Sequence, residues 1–248
     1  MIVIKTPEEI ALMREAGRVA AAVLQALQRE IKPGITTGSL DKIAEDMIRK
    51  AGGEPLFKGY HNFPASICTS INNEVVHGIP GLRRLQEGDI ISIDLGVRLK
   101  GYCSDMAATF GVGELLPETA RLLEVTRQSL QEGIAAMKPG GRLTDISHAV
   151  YSHVKKNNFS VVRAYAGHGI GTRLHEDPQV PNYGAPGRGP LLQEGLVLAI
   201  EPMVNYGHWE VEVLSDQWTV VTGDHSLSAH FEHTVALRED GPEILTIL

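Results

Sequence analysis

LQEGDIISID at residues 85–94 returns as LQEGLVLAIE at residues 192–201, and each copy ends in a carboxylate, Asp94 and Glu201. One shared tetrapeptide is compatible with chance, so the spacing of other echoes decides. HGIPG at 77–81 returns as YGAPG at 183–187, and Lys32-Pro33-Gly34 returns as Lys138-Pro139-Gly140, both 106 residues on, while Leu85 and Leu192 stand 107 apart. Repeat arrays show three or more short periods, whereas two copies of about half the chain indicate one duplicated body with a pseudo-two-fold axis. Each half would then deliver an acid to a shared centre.

Bulk properties fit one such body. The 248 residues, 43% of them hydrophobic, are within what a single α/β domain can fill, so residues 1–248 are expected to form one domain with internal halves at about 1–112 and 113–248. No stretch approaches 18 consecutive apolar residues, and the opening MIVIKTPEEI lacks the basic and apolar regions of a secretion signal, which predicts a cytoplasmic protein with no membrane segment. Cys68 and Cys103 have no metal-ligand spacing and read as reduced thiols. A net charge of −7 and a pI near 5.8 argue against direct DNA binding, and Arg83-Arg84 reads as solvated loop charge.

The halves carry the same order of elements. Thr6-Pro7-Glu8-Glu9 predicts an N-cap, a proline in the first turn and a capping-box glutamate for a helix ending before Pro33-Gly34; Ser39 is the expected cap of a second helix ending before Gly52-Gly53. In the second half Pro117 opens a helix that stops before Pro139-Gly140, and another runs from about Thr144 to Lys156. Strand-like runs follow at 90–97 and 102–110, then at 160–166, 196–204, 218–222 and 228–237. The fold class is α/β (α+β), a sheet-centred unit with helices outside.

Four acids fall on these strands. If the hairpin of 90–110 closes near Leu99 and Lys100, residues whose numbers add to 199 face one another, and Asp94 opposes Asp105. Directly opposed Cβ atoms are about 4.5–5.5 Å apart, where two bare carboxylates repel and a cation resolves the conflict; an aspartate as an ordinary turn residue is the competing reading of this pair. Glu201 ends the apolar run Leu196–Ile200, where an unpartnered acid is costly. In SAHFEHTVAL, period-two alternation puts His230, Glu232 and Thr234 on one face. His168, flanked by Gly167, Gly169 and Gly171, lies in a glycine-rich loop that lets backbone approach a centre closely, and is the fifth candidate ligand. His175 and His77, in adjoining loops, suit substrate hydrogen bonding. His61, His148, His153, His208 and His225 read as solvent-exposed.

VVHGIPG, IDLGV with Asp105 eleven residues after Asp94 in SDMAATF, GHGIG followed by LHEDP, AIEPM and SLSAHFEHT together resemble, in order, the motifs of type I methionine aminopeptidases, across nearly the whole chain. The resemblance implies a pita-bread fold, two pseudo-two-fold related halves with an antiparallel sheet and outer helices around a dinuclear metal site. It assigns Asp94, Asp105, His168, Glu201 and Glu232 as metal ligands, with Asp105 and Glu232 bridging. Glu201 would also shuttle a proton to the leaving amine, His175 would steady the carbonyl oxygen, and His77 would contact the peptide beyond the scissile bond. Tyr60, Phe63, Cys68 and Trp218 would line the methionine pocket, with Phe57 and Leu174 nearby.

The implied activity is metal-dependent removal of the initiator methionine from nascent polypeptide N-termini with a small second residue. Two divalent ions are implied; a set of four carboxylates and one imidazole accepts manganese, iron, cobalt or zinc. A monomer is expected, with ribosome contact left open. Prolidases and Xaa-Pro aminopeptidases share the ligand set but usually carry an N-terminal domain for which this chain has no room. A non-catalytic pita-bread binding protein would tend to have lost ligands, and all five are here.

Overall fold

The computed structural model describes residues 1–248. Four α-helices, α1 (Pro7–Glu30), α2 (Thr37–Lys50), α3 (Pro117–Ala136) and α4 (Leu143–Lys156), back a sheet of nine strands. At the start of α1 the Glu9 N–H donates to Thr6 Oγ1 while the Thr6 N–H donates to the Glu9 carboxylate, the reciprocal box read from the sequence. The second helix begins earlier than expected. Thr36, with extended backbone, is the N-cap and accepts from the Ser39 N–H at 3.2 Å, which places Ser39 inside the first turn.

The sheet runs Glu54–Pro55, Ile90–Leu99, Tyr102–Gly111, Glu232–Arg238, Val197–Ile200, Gly167–Gly169, Glu176–Val180, with Cys68–Ile71 also paired to Ile90–Leu99 and Gly241–Ile244 to Glu232–Arg238. All neighbours are antiparallel. Alternation along the strands sorts their faces. Ile91, Ile93, Leu95 and Val97 pack with Ala20, Leu24 and Leu27 of α1 and Leu40, Ala44 and Ile48 of α2. Leu198, Ile200, Val235 and Leu237 pack with Leu130 and Ile134 of α3 and Leu143 and Ile146 of α4. Each fully buried side chain of this kind contributes about 1.5–3 kcal/mol. The odd-numbered residues of Ile90–Leu99 are thus committed to the helices, and Asp94 points to the opposite face.

The repeated phrases are repeated joints. The Gly34 N–H donates to the Leu85 carbonyl at 2.8 Å and the Gly140 N–H to the Leu192 carbonyl at 2.9 Å. The bridge Thr36↔Arg84 has its counterpart in Arg142↔Leu191. In each half the Lys-Pro-Gly turn between the helices is therefore strapped to the Leu-Gln-Glu-Gly turn that opens the strand ending in an acid.

Three strand expectations require correction. The central hairpin closes one residue later than expected, on Lys100-Gly101, both with positive φ (50° and 84°), a two-residue turn that Gly101 accommodates. Paired residue numbers add to 201, so Asp94 faces Ala107 and Asp105 faces Gly96. The two aspartates are diagonal neighbours on one face, a separation of about 7–8 Å between backbones. Secondly, the runs 196–204 and 228–237 are each interrupted. Pro202 has no N–H to continue a ladder, so Val197–Ile200 stays in the large sheet while Met203–Asn205 pairs with Ser228–His230 and Ser160–Val161 in a separate three-stranded sheet. Glu201 sits at the first break, and Phe231, just before Glu232, occupies the second. Thirdly, His168 lies within the strand Gly167–Gly169 rather than in a loop. A Cβ on Gly167 would meet the Ala199 carbonyl, and one on Gly169 the Asp177 carbonyl, so these glycines permit close strand packing on both sides of the histidine.

Candidate metal centre

The acids converge from both halves of the chain. Asp94 and Asp105 come from the central hairpin, Glu232 opens the neighbouring strand opposite Ala107, Glu201 follows Ile200, and His168 pairs across to Ala199. Ligating atoms of Asp105, His168 and Glu232 lie within 4.8 Å of one another. His168 Nε2 is 3.6 Å from Glu201 Oε1 and 3.9 Å from Asp105 Oδ2, too long for hydrogen bonds. Every candidate ligand, catalytic and pocket residue named from the sequence, from Phe57 to Glu232, lines one cavity of about 300 Å³.

Two threonines hold the arms together. Thr234 Oγ1 accepts from the Asp105 N–H at 2.9 Å and donates to the Asp105 carbonyl at 2.8 Å. Thr109 Oγ1 does the same for His230, both at 2.8 Å. A Thr234→Val variant keeps the shape but leaves both Asp105 backbone groups without their partner; urea denaturation is expected to give a loss of about 1–3 kcal/mol, and an unchanged midpoint would show that the clasp contributes nothing.

Electrostatics favour a cation. Burial pushes the Asp94 carboxyl up to about 7, with the neighbouring Asp105 carboxyl opposing the shift. Burial first, and then the neighbouring carboxylates, push Asp105, Glu201 and Glu232 well above the ordinary range. Burial and then His175 lower His168 to about 4, leaving its imidazole neutral. Its Nδ1 lies 2.9 Å from the Gly169 carbonyl, so a proton there leaves the Nε2 lone pair facing the acids. Asp94 Oδ1, Asp105 Oδ1 and Glu232 Oε1 are buried without a hydrogen-bond partner. Buried carboxylate oxygens left unsatisfied in a cluster are what a divalent cation would satisfy, and hard oxygen donors with one imidazole form a suitable set.

The sequence matches metallopeptidase family M24 from residue 11 to residue 239. The chain belongs to metallopeptidase family M24. It is 56% identical over 246 residues to methionine aminopeptidase 1 of Bacillus subtilis, covering 99% of each chain. Its structure matches a methionine aminopeptidase from Thermotoga maritima with a TM-score of 0.99 at 46% identity, covering all of both chains. A prolidase from Pyrococcus furiosus is alike in fold alone, with a TM-score of 0.77 at 24% identity and 66% of that chain covered. The pita-bread architecture implied by the motifs is the one observed.

Beside its acids the M24 centre has an apolar wall. Phe63 and Trp218 meet edge to face at 5.0 Å, His77 stands edge-on to Trp218 at 6.3 Å, and Cys68 pairs across the sheet with Asp94. Burial, then Asp94, raises the Cys68 thiol well above its usual value, so it stays protonated and acts as a small apolar surface. Tyr60 Oη is 2.7 Å from His175 Nδ1. His77 has a left-handed backbone (φ 61°), and burial, then His175, lowers its ring to about 4.

Two residues of this M24 site had no assigned role in the sequence reading. His61 is exposed, as expected, and its ring also lines the cavity and meets Tyr60 edge-on at 4.4 Å; its adjacency to Tyr60 is the only signal in the sequence. His230 is buried, with Nε2 3.8 Å from Glu201 Oε2 and neither ring nitrogen hydrogen-bonded. Its place two residues before Glu232 on the same face was the available clue. No helix is long and apolar enough to cross a membrane.

Proposed function

We propose that this M24 metallopeptidase removes the initiator methionine from new polypeptides whose second residue is small, as a single-domain, monomeric cytoplasmic enzyme holding two divalent ions between Asp94, Asp105, His168, Glu201 and Glu232. The observation that carries this reading is the direct junction of an aromatic, thiol-bearing cavity with a cluster of four acids, Asp105 and Glu232 buried and Asp94 and Glu201 half-buried. Aromatic edges and a protonated thiol suit an unbranched thioether side chain. High identity to methionine aminopeptidases over the full chain supports the same substrate, and the 24% identity to a prolidase gives the Xaa-Pro reading no comparable support.

Bound divalent cations supply Lewis acidity, lowering the pKa of water and polarising a carbonyl. The chain's own groups do the rest. Glu201, whose two oxygens face His168 and His230, is placed to take a proton from the attacking water and return it to the departing amine. With the Tyr60 hydroxyl donating to Nδ1 of His175, the proton on Nε2 is the donor available to the carbonyl oxygen. His77, kept neutral by burial, can hydrogen-bond the peptide without adding charge. The aromatic wall excludes water from the methionine side chain.

Incubation with Met-Ala-Ser and with an Ala-Pro peptide, with and without chelator, tests the reading. Methionine release that chelator stops is expected; cleavage of Ala-Pro without methionine release would overturn it. Metal loading also has a defined pH sign. The carboxyl pKa values are raised above their unfolded values, so the metal-free fold is stabilised by them at low pH and loses that contribution as pH rises through the folded values, near 7 for Asp94. Metal binds the deprotonated form. The thermal shift produced by adding manganese is therefore expected to grow between about pH 5 and pH 8, and a shift constant with pH would contradict a carboxylate-rich site.

A further inference from the structure

The acid-lined cavity adjoins a second, polar cavity of about 640 Å³ that shares His168 and His175 with it. Another neighbour, of about 470 Å³, shares Tyr60, Leu174 and His175 but neither His168 nor any of the four acids. A polypeptide whose first side chain fills the aromatic pocket must leave past the reacting atoms, and the cavity that shares His168 lies on that side.

The charge of this groove is unusual for the chain. Arg163 and Arg173 are exposed on its walls. The Arg163 guanidinium sits 4.6 Å from the Trp209 ring centre and 5.5 Å from that of Tyr183, so its position is fixed by two aromatic faces. Neither arginine forms an ion pair. The groove's two carboxylates are both matched, Glu176 by a buried pairing with Lys5 and Asp177 by the N-terminal ammonium of Met1. Two positive charges are left over on a protein whose net charge is −7. Arg173 also lines the smaller neighbour, so a chain turning either way past His175 meets it.

We propose that this groove receives the substrate chain beyond its second residue and that Arg163 and Arg173 make it select acidic side chains there. The proposal rests on the methionine aminopeptidase reading and extends it to the third and later residues. Exposed ion pairs are weak and screened by salt, so the expected discrimination is about three- to tenfold at low ionic strength.

The test compares Met-Ala-Asp-Glu-Ser, Met-Ala-Ser-Ser-Ser and Met-Ala-Lys-Lys-Ser on the metal-loaded enzyme at about 20 mM and about 500 mM salt, where the Debye length shrinks severalfold. The acidic peptide is expected to have the highest kcat/KM and the lysine peptide the lowest, the difference lying in KM. Salt, or the double variant Arg163→Gln with Arg173→Gln, is expected to bring the acidic-to-lysine ratio close to one. Methionine release without charge ranking, or a ranking that survives in the double variant, overturns the groove alone. No methionine release from any of the three overturns the functional reading and the groove with it.

Discussion

Asp105→Asn is expected to lower kcat/KM for Met-Ala-Ser by roughly 10³-fold or more, the range associated with losing a central charge-stabilising or proton-transfer group, and to abolish stoichiometric metal loading. The substitution preserves shape and leaves the backbone clasp to Thr234 in place, so the fold persists. It removes a charge from a cluster in which burial, then Asp94 and Glu201, already oppose ionisation of Asp105. The metal-free variant is therefore expected to melt no lower than the metal-free parent, while metal addition no longer raises its melting temperature. Elemental analysis, calorimetric melting and peptide kinetics read the three effects separately. Full turnover with two bound ions in this variant would remove the dinuclear proposal.

The second large effect lies outside the centre. Lys5 Nζ and Glu176 Oε2 are 2.8 Å apart and both side chains are almost wholly enclosed. Burial is the largest single influence and opposes ionisation of Glu176, but the Lys5 ammonium, the Arg173 N–H and the Arg173 charge together hold the carboxyl below its usual range. That contribution is present above the ordinary glutamate pKa and is lost as pH falls through the folded value. Lys5→Met strands the carboxylate and is expected to cost about 3–5 kcal/mol, whereas Lys5→Met combined with Glu176→Leu regains much of the loss. Glu176 Oε1 also accepts from the Arg173 N–H, and Glu176 directly follows His175. The single variant is thus expected to impair activity as well. A urea midpoint displaced by less than about 1 kcal/mol would show that the pair is poorly coupled to the fold.

Much of the site could be read from the chain because its acids interrupt or end apolar strands, where chance placement is expensive. Asp94, Glu201 and Glu232 announced themselves in that way. The register between Asp94 and Asp105 could not be read, because it depends on whether Gly101 takes the second turn position, and a shift of one residue in closure changes every partner. The breaks at Pro202 and Phe231 were hidden because apolar residues continue on both sides of each, so one strand pattern spans segments that pair in different sheets. Gly167 and Gly169 signalled close approach correctly, although what approaches is the backbone of neighbouring strands. His61 carries no periodic signal, and the alternation that puts His230 on the face of Glu232 does not say how close its ring comes to Glu201; only neighbours in space reveal either role.

The two hairpin arms meet along the middle of the sheet through only two residue pairs, Glu232 with Ala107 and His233 with Met106. A threonine clasp closes each end of that contact, Thr109 with His230 and Thr234 with Asp105. Residues 1–112 bring Asp94 and Asp105 to this line, and the remainder brings His168, Glu201 and Glu232. This short stretch of pairing in the large sheet is therefore also where the acids of the two halves meet. Whatever neutralises those charges acts as a stitch across the seam, so the same ions that serve chemistry would fasten one half of the molecule to the other.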